Sequence, residues 1–247
     1  MLYHQIMIVN YTEEGWEVIT QRCHGLLAAQ ICVQWKTKER PKRWLETLAA
    51  VAEHDDVYNE FENDDLLNDA GGPVNFKQST FQQDKCERLI NMAITRSAYI
   101  TLLIASHIHF VHGNDPAGKS FFAALKKREK GWYKVSGIQP DEVRNAYTLL
   151  QFCDAFSLLL CQNLVQPDQR KIEISEGPGH ISYDLYTGEN GELHVYPWPF
   201  EAESFIIIYE SRQLTALTFP DSVTFQHALA GAAVRQHELV LMKDHGR

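Results

Sequence analysis

The chain has 247 residues, of which 45% are hydrophobic and 22% charged, and its formal net charge is −9. This composition is ordinary for a globular protein with a sizeable core. The length allows one large domain or two modest ones, and we expect a single domain over residues 1–247. The excess of acidic groups argues against a nucleic-acid polymer or an anionic membrane as the main partner, because both require a basic face. The composition leaves an oligomer open.

Five cysteines are present, an odd number, and none of them stands in a CxxC spacing. The N-terminal segment lacks the basic region and the long apolar stretch of a signal peptide. No apolar run approaches the roughly 20 residues that a membrane-spanning helix needs. We expect free thiols in a cytoplasmic protein.

Residues 7–21 alternate apolar and polar side chains around a Glu-Gly turn and predict a β-hairpin. Helical spacing begins at Arg22 and predicts a helical core over 22–167. Its segments, in chain order, are helices over 23–35 and 43–54, an irregular loop over 57–83, and helices over 84–111, within 113–137 and over 138–164. An ordered loop as long as 57–83 is usually functional.

Residues 168–247 change to a β-rich pattern. The predicted strands lie within 170–177, 181–200, 204–214 and 237–244, and a short helix over 222–237 precedes the last of them. The segment TGENGEL (187–193) is a hairpin signal. The fold class that these patterns predict is α+β: a helical core with an antiparallel β-sheet built from the N-terminal hairpin and the C-terminal strands.

The stretch LAAVAEHDD (48–56) opens as an apolar helix and ends in four polar residues. Two carboxylates at a helix C-terminus, Asp55 and Asp56, oppose the partial negative charge of the helix macrodipole, so we expect a positive charge nearby. A metal ion bound by His54 and Asp55 would supply that charge.

Asp154 lies in the middle of an apolar helical stripe. The stripe consists of Val143, Ala146, Tyr147, Leu150, Asp154, Leu158 and Cys161. An ionised carboxylate on such a face costs several kcal/mol unless it is paired, hydrogen-bonded or bound to a metal. A serine or a backbone amide is one partner open to Asp154, and a cation shared with His24, His54 and Asp55 is the other. Two imidazoles and two carboxylates suit a divalent transition metal, Zn, Fe, Mn or Co, with room for water.

The segment SHIHFVHG (106–113) contributes three further histidines. His107 lies on the same helical line as Tyr99, an expected core residue, which makes it a candidate ligand of a second ion or a contact to the substrate. His109 and His112, near the end of the predicted helix, are explained by a favourable interaction with the helix dipole.

Arg22, close to His24, carries a guanidinium that can hold a phosphate or carboxylate in bidentate fashion, and a surface salt bridge is its alternative role. Asp56 is either an acceptor that fixes an imidazole tautomer or a solvated charge.

The order His24…His54-Asp55…Asp154 on successive predicted helices resembles the HD-domain superfamily of metal-dependent phosphohydrolases. More closely, the segments RCHGLLAAQ, AVAEHDD, GGPVNF, CDAFSLLLC and YPWPF are similar to an uncharacterised bacterial family with an HD-like core. The resemblance runs from about Met7 to near the C-terminus. It implies an HD-like all-helical core and a cytoplasmic protein.

The chain departs from the superfamily pattern in two places. The glycine and lysine that follow the HD pair in many two-metal members are missing, and the chain has no adjacent His-His pair. A one-metal site is therefore at least as well supported as a two-metal site.

The resemblance implies a metal-dependent phosphohydrolase that acts on a small phosphorylated or nucleotide-like substrate through a metal-activated water. The implied metal ligands are His24, His54, Asp55 and Asp154, with His107 for a second ion, and the implied catalytic residues are Asp55, Arg22 and His107. Two alternatives stay open: an HD-type di-iron oxygenase and a non-enzymatic HD-like protein that binds a ligand.

Overall fold

The computed structural model describes residues 7–62, 66–78 and 80–244. Within these ranges the chain forms seven strands and seven α-helices. The strands are β1 (Met7–Thr12), β2 (Gly15–Thr20), β3 (Ile172–Gly177), β4 (Ile181–Thr187), β5 (Leu193–Tyr196), β6 (Ser204–Leu214) and β7 (Ala233–Met242). The helices are α1 (Gln21–Val33), α2 (Trp44–Ala52), α3 (Gln83–Ile94), α4 (Ala98–His112), α5 (Lys119–Ser136), α6 (Pro140–Cys161) and α7 (Ser222–Gly231).

The strands form one sheet in the order β1-β2-β6-β7-β5-β4-β3. Neighbouring strands run antiparallel except β5 and β7, which are parallel and pair at Leu193 and Leu241. The longest pairing joins β6 to β7 over ten residues of each strand, from 204 to 213 and from 233 to 242. The N-terminal hairpin β1–β2 thus extends a sheet whose other strands come from the C-terminal part of the chain.

The sheet is curled, and α1 covers the edge of β6 that β2 leaves open. In the described residues β2 pairs with β6 at 16–18 alone, opposite 212–214. Further along β6, the side-chain amide of Gln30 donates to the Ile208 carbonyl at 2.7 Å and accepts from the Ile208 N–H at 2.9 Å. Backbone groups that an open strand edge would leave unpaired are satisfied in this way. The contact fixes α1, which carries His24, against the sheet.

The predicted fold class, α+β with an HD-like all-helical core and an antiparallel sheet built from the N-terminal hairpin and the C-terminal strands, is wrong. The described chain is mixed α/β, with 24% strand and 46% helix and a single curled seven-stranded sheet. Side-chain alternation identifies individual strands, but contacts between residues far apart in sequence decide how strands pair. Residues 233–236 are an example. The sequence pattern predicts them as the end of the helix over 222–237, but they form the start of β7 and pair with β6.

The single helix predicted over 84–111 is divided into α3 and α4. Ser97 has an extended backbone and its hydroxyl accepts from the Ile100 N–H at 3.1 Å, so it caps the start of a new helix. The Thr95 hydroxyl donates to the Met92 carbonyl at 2.7 Å and closes the end of the preceding one. Apolar spacing continues across this break, which is why periodicity alone predicts one helix.

The helix α6 packs against α1, α2, α4 and β3 and forms the centre of the helical layer. It begins at Pro140, and the Glu142 carboxylate accepts from the Gln139 N–H at 3.1 Å, which stabilises its first turn. Asp154 lies in the buried part of α6. Its carboxylate therefore projects into the region where the helices meet.

All five cysteines lie in the described residues and are free thiols. None of the helices in those residues combines the length and the apolar character that crossing a bilayer requires.

Candidate metal centre

Three segments bring His24, His54 and Asp154 together: the start of α1, the turn after α2 and the buried part of α6. His24 lies in the first turn of α1, which starts where the Thr20 hydroxyl accepts from the Cys23 N–H. His54 follows α2, which ends at Ala52 and not at residue 54 as the sequence pattern predicts.

Gly25 allows the end of α2 to approach α1 closely. A Cβ atom at this position would lie 2.5 Å from the Ala52 carbonyl oxygen, well inside van der Waals contact. The absence of a side chain at Gly25 therefore lets the turn that carries His54 reach His24.

Three acceptor atoms converge at the centre. The Nε2 atoms of His24 and His54 lie 3.2 Å apart, and Asp154 Oδ1 lies 3.1 Å from the first and 3.3 Å from the second. Both histidines are fully buried and Asp154 is nearly so. The three side chains form one of two groups whose potential metal-ligating atoms all lie within 4.8 Å of one another in the described residues.

The hydrogen bonds behind the rings fix the tautomer of both histidines. The His54 Nδ1 atom lies 2.7 Å from the Val51 carbonyl, which can only accept, so this nitrogen carries the proton. The Ser157 hydroxyl donates to the Asp154 carbonyl at 2.8 Å and therefore accepts from His24 Nδ1 at 2.9 Å. In the neutral rings both Nε2 atoms are then acceptors, and they face a carboxylate oxygen with no hydrogen between them.

Such a buried cluster of acceptors requires a cation, either a proton or a metal ion. Ligand atoms about 2.0–2.2 Å from a transition metal lie roughly 2.8–3.1 Å from one another in octahedral coordination and roughly 3.3–3.6 Å in tetrahedral coordination, a combined range of roughly 2.8–3.6 Å. The observed separations of 3.1–3.3 Å fall in this range. Both the donor set and its spacing therefore fit a divalent transition metal.

Electrostatics in the cluster favour positive charge. Burial lowers the pKa of His54, but the carboxylates of Asp55 and Asp154 outweigh it and raise this pKa to about 9. Burial acts to raise the pKa of Asp154, and the opposing effect of the neighbouring His54 and His24 side chains holds it well below its usual range. The site thus stabilises an anionic carboxylate beside a cation.

Asp55 and His107 extend the cluster on one side. Asp55 Oδ2 lies 3.7 Å from His54 Nε2, and Asp55 Oδ1 lies 3.5 Å from His107 Nε2. These three residues form the second group of potential ligands in the described chain. The His107 Nδ1 atom is buried and has no hydrogen-bond partner among the described residues.

Arg22 lies outside the cluster. It forms a salt bridge with Asp56, which is the alternative that the sequence leaves open to binding a phosphate or carboxylate. Its side chain is 48% exposed, its Nε atom lies 2.7 Å from Asp56 Oδ1, and its Nη2 atom donates to the Asp56 carbonyl at 3.1 Å. Arg96 Nε lies 2.7 Å from Oε2 of Glu53, a residue of the same turn as Asp56. These arginines place positive charge beside the acidic end of α2.

A cavity of about 160 Å³ lies beside the cluster, between α3, α4, α6 and the loop after α2. Asp55, His107 and Asp154 form part of its wall. Val57 and Phe76, from the loop predicted over 57–83, also line it. Among the candidate ligands Asp55, His107 and Asp154 thus face the cavity, whereas the fully buried His24 and His54 do not line it.

Sequence reasoning missed several residues around the site. Gln21 and His112 line the cavity, Ser157 orients His24, and the buried Tyr147 hydroxyl has no partner among the described residues. Ser157 had a detectable signal, because it lies three residues after Asp154 and so on the same side of the helix. Gln21, at the start of α1, had no such signal.

Residues 7–216, well over half of the chain, match the family described as "Protein of unknown function (DUF3891)", and the chain belongs to this family. No curated protein and no solved structure matches the chain.

The resemblance to the HD-domain superfamily is wrong. The matching family is one of unknown function, and the described fold is a curled sheet with helices rather than an all-helical HD core. The H…HD…D order involves four residues, and so short a pattern has low specificity for a fold. The case for a metal centre therefore depends on the geometry of the side chains.

Proposed function

We propose that this member of the DUF3891 family is a metal-dependent hydrolase that acts on a small phosphorylated substrate through a metal-activated water. The observation that carries the proposal is the convergence of His24 Nε2, His54 Nε2 and Asp154 Oδ1 with both Nδ1 protons directed away. A divalent Zn, Fe, Mn or Co ion suits these ligands, and Asp55 is the candidate for a fourth.

A bound ion of this kind would polarise a phosphoryl oxygen and lower the pKa of a coordinated water. Asp55 lies between His54 and His107, which lower its pKa against the opposing effect of burial. Its ionised carboxylate could bind the ion or accept a proton from the water. His107, on the cavity wall, would orient Asp55 and contact the charge of the substrate. Arg22 is assigned to holding Asp56 and not to catalysis.

A two-metal oxygenase is the second candidate, favoured by the group of His54, Asp55 and His107. This group shares His54 with the first one, and the Nε2 atom of His54 can bind a single ion. A second ion would therefore depend on Asp55 and His107 alone among these residues. One ion per chain supports the hydrolase, and two coupled irons would support the oxygenase.

The third candidate is a non-enzymatic ligand-binding protein in which a proton replaces the metal ion between His54 and Asp154. Elemental analysis separates it from the two enzymes. We also propose a cytoplasmic location, supported by the five free thiols, because reducing systems there keep cysteines reduced.

The experiment that tests the proposed function compares the wild type with Asp154→Asn. We expect about one transition-metal ion per chain in the wild type together with metal-dependent hydrolysis of a phosphate monoester. Asp154→Asn should lose most of both, because the neutral amide is a poor ligand at a site built for a carboxylate.

Asp141→Asn is the matched control, since Asp141 lies at the exposed start of the same helix. It should keep the metal content and activity of the wild type. Equal metal content in Asp154→Asn and the wild type would contradict the proposed site.

A further inference from the structure

The cavity beside the candidate centre is suited to hold the substrate. Asp55, His107 and Asp154 form one side of it, so a molecule inside would lie against the potential metal ligands. Most of the remaining wall comes from helices that pack through their apolar faces, α3, α4 and α6. The position of the cavity therefore relates its occupant directly to the site.

The size of the cavity limits what it can hold. Its volume is about 160 Å³. An apolar protein cavity of about 150 Å³ accommodates benzene. A single ring or a short alkyl chain therefore fits, whereas the base and ribose of a nucleotide, which together are roughly two to three times the size of a benzene ring, do not.

The chemistry of the wall favours an apolar substrate body. Val57, Leu89, Ile108, Val111 and Leu158 all line the cavity and present hydrocarbon. Apolar surface removed from water contributes roughly 25 cal/mol per Å², so a hydrocarbon body gains affinity here that a polyhydroxylated body does not. The carboxylates in the wall are those of Asp55 and Asp154, and Lys85, His107 and His112 line the cavity as well.

Gln21 adds one polar group to the wall. The residue is 3% exposed, lines the cavity, and its Oε1 atom has no hydrogen-bond partner among the described residues. A buried acceptor without a donor costs free energy, and a bound molecule or water that donates to it removes the cost. This unsatisfied group lies in a residue of the cavity wall that is not a candidate metal ligand.

We infer that this cavity is the substrate pocket and that it selects a small phosphate monoester with an apolar body, an aryl or short alkyl phosphate, over polar phosphate esters and nucleotides. The inference rests on the proposed function and narrows its substrate class. The phosphate lies at the side of Asp55, His107 and Asp154, and the hydrocarbon lies between α3, α4 and α6.

Calorimetric titration of the metal-loaded protein with non-hydrolysable phosphonates tests the pocket without depending on turnover. Phenylphosphonate should bind at least about tenfold more tightly than methylphosphonate, because only the former places a ring against the apolar wall. It should also bind more tightly than the non-hydrolysable phosphonate analogue of adenosine monophosphate. Equal or tighter binding of methylphosphonate or of the nucleotide analogue would overturn the inference.

Val111→Trp supplies a variant that fills the pocket without altering a candidate ligand. Val111 lines the cavity and is 44% exposed, so the larger side chain can be accommodated in a folded protein. It should weaken phenylphosphonate binding at least about tenfold while the metal content stays that of the wild type. Val135→Trp, at a 79% exposed position on α5, is the matched control and should bind as the wild type does. Wild-type affinity in Val111→Trp would overturn the inference.

Hydrolysis assays separate failure of the pocket from failure of the function. Preference for phenyl phosphate over glycerol 2-phosphate and adenosine monophosphate supports both. Metal-dependent hydrolysis that favours either of the other two overturns the pocket inference and leaves the proposed function in place. No hydrolysis of any of the three contradicts the proposed function, and the phosphonate series then decides the pocket by itself.

Discussion

A neutral imidazole offers a metal ion one ring nitrogen, because the other carries the proton. In this protein oxygen atoms behind the rings determine which nitrogen is free: the Ser157 hydroxyl for His24 and the Val51 carbonyl for His54. Both Nε2 atoms consequently face Asp154. These supporting atoms are as necessary to the proposed site as the ligands themselves.

Ser157→Ala tests that supporting role. Without the hydroxyl, His24 Nδ1 loses its acceptor and the ring is free to change tautomer. We expect metal affinity to fall on the order of 10- to 100-fold, measured by competition with a chromophoric chelator. Ser136→Ala, which removes another serine bond to a backbone carbonyl, should have no effect on metal affinity. Unchanged affinity in Ser157→Ala would count against the assigned tautomer.

Glu60, which is not a candidate metal ligand, makes the free energy of unfolding depend on pH. It is 1% exposed, its Oε1 atom accepts from the Gln21 N–H at 2.8 Å, and burial raises its pKa to about 7 from an ordinary 4.5. Because the pKa in the folded state lies above that in the unfolded state, folding favours the protonated acid. The associated stability is complete below about pH 4.5 and is lost as the pH rises to about 7.

Glu60→Gln should remove this dependence, since an amide can still accept from the Gln21 N–H. Urea unfolding should show the variant gaining stability relative to the wild type between pH 5 and 8, by up to about 3 kcal/mol. Glu62→Gln, at a 62% exposed side chain, is the control and should follow the wild type. A constant difference between Glu60→Gln and the wild type across this pH range would refute the assignment.

The sequence predicts some features of single residues in the site and leaves others undetermined. The burial of Asp154 follows from its apolar stripe, and the structure places it 8% exposed. The Val51 carbonyl leaves no trace in the sequence, because any residue has one. The role of Arg22 could not be decided, since a guanidinium near a histidine serves a salt bridge as readily as a substrate.

At the scale of elements, the spacing between α1 and α2 determines whether His24 and His54 can meet. Gly25 and Ala52 form the point of closest approach. Helix pairs this close require a residue without a side chain at the crossing.

Gly25→Ala should therefore displace the end of α2 and separate the two imidazoles. We expect a loss of about 1–3 kcal/mol in the free energy of unfolding and a large loss of metal affinity, measured by urea unfolding and chelator competition. Gly131→Ala, on α5 where an added Cβ meets nothing within 4 Å, should keep metal affinity and be slightly stabilised. A Gly25→Ala variant as stable and as metal-competent as the wild type would show that the approach is not required.

Apolar periodicity predicts where most of the helices lie, but it does not predict where they begin and end. The break at Ser97 depends on one hydroxyl that caps α4, and serine also occurs within helices. The end of α2 depends on the His54 ring taking the Val51 carbonyl. In both places a side chain competes with the backbone for a hydrogen bond, and apolar periodicity does not reveal this competition.

At the scale of the whole molecule, the fold brings together residues from distant parts of the chain. His24 and Asp154 lie on α1 and α6, and His54 directly follows α2; these three helices pack on one another beside a sheet assembled from both ends of the chain. The sequence shows strand-like segments but not the order β1-β2-β6-β7-β5-β4-β3, because strand order is set by non-local pairing. An all-helical core was expected from a four-residue pattern, and the curled sheet shows that such a pattern does not specify a fold.

X-ray absorption spectroscopy at the metal edge, on protein purified without added chelator, examines the proposed centre most directly. The account predicts a divalent transition metal with two imidazole nitrogens and carboxylate oxygen at about 2.0–2.2 Å, and loss of this signal in Asp154→Asn. A protein that takes up no metal when it is offered, or a metal bound through sulfur or without imidazole, would contradict the account.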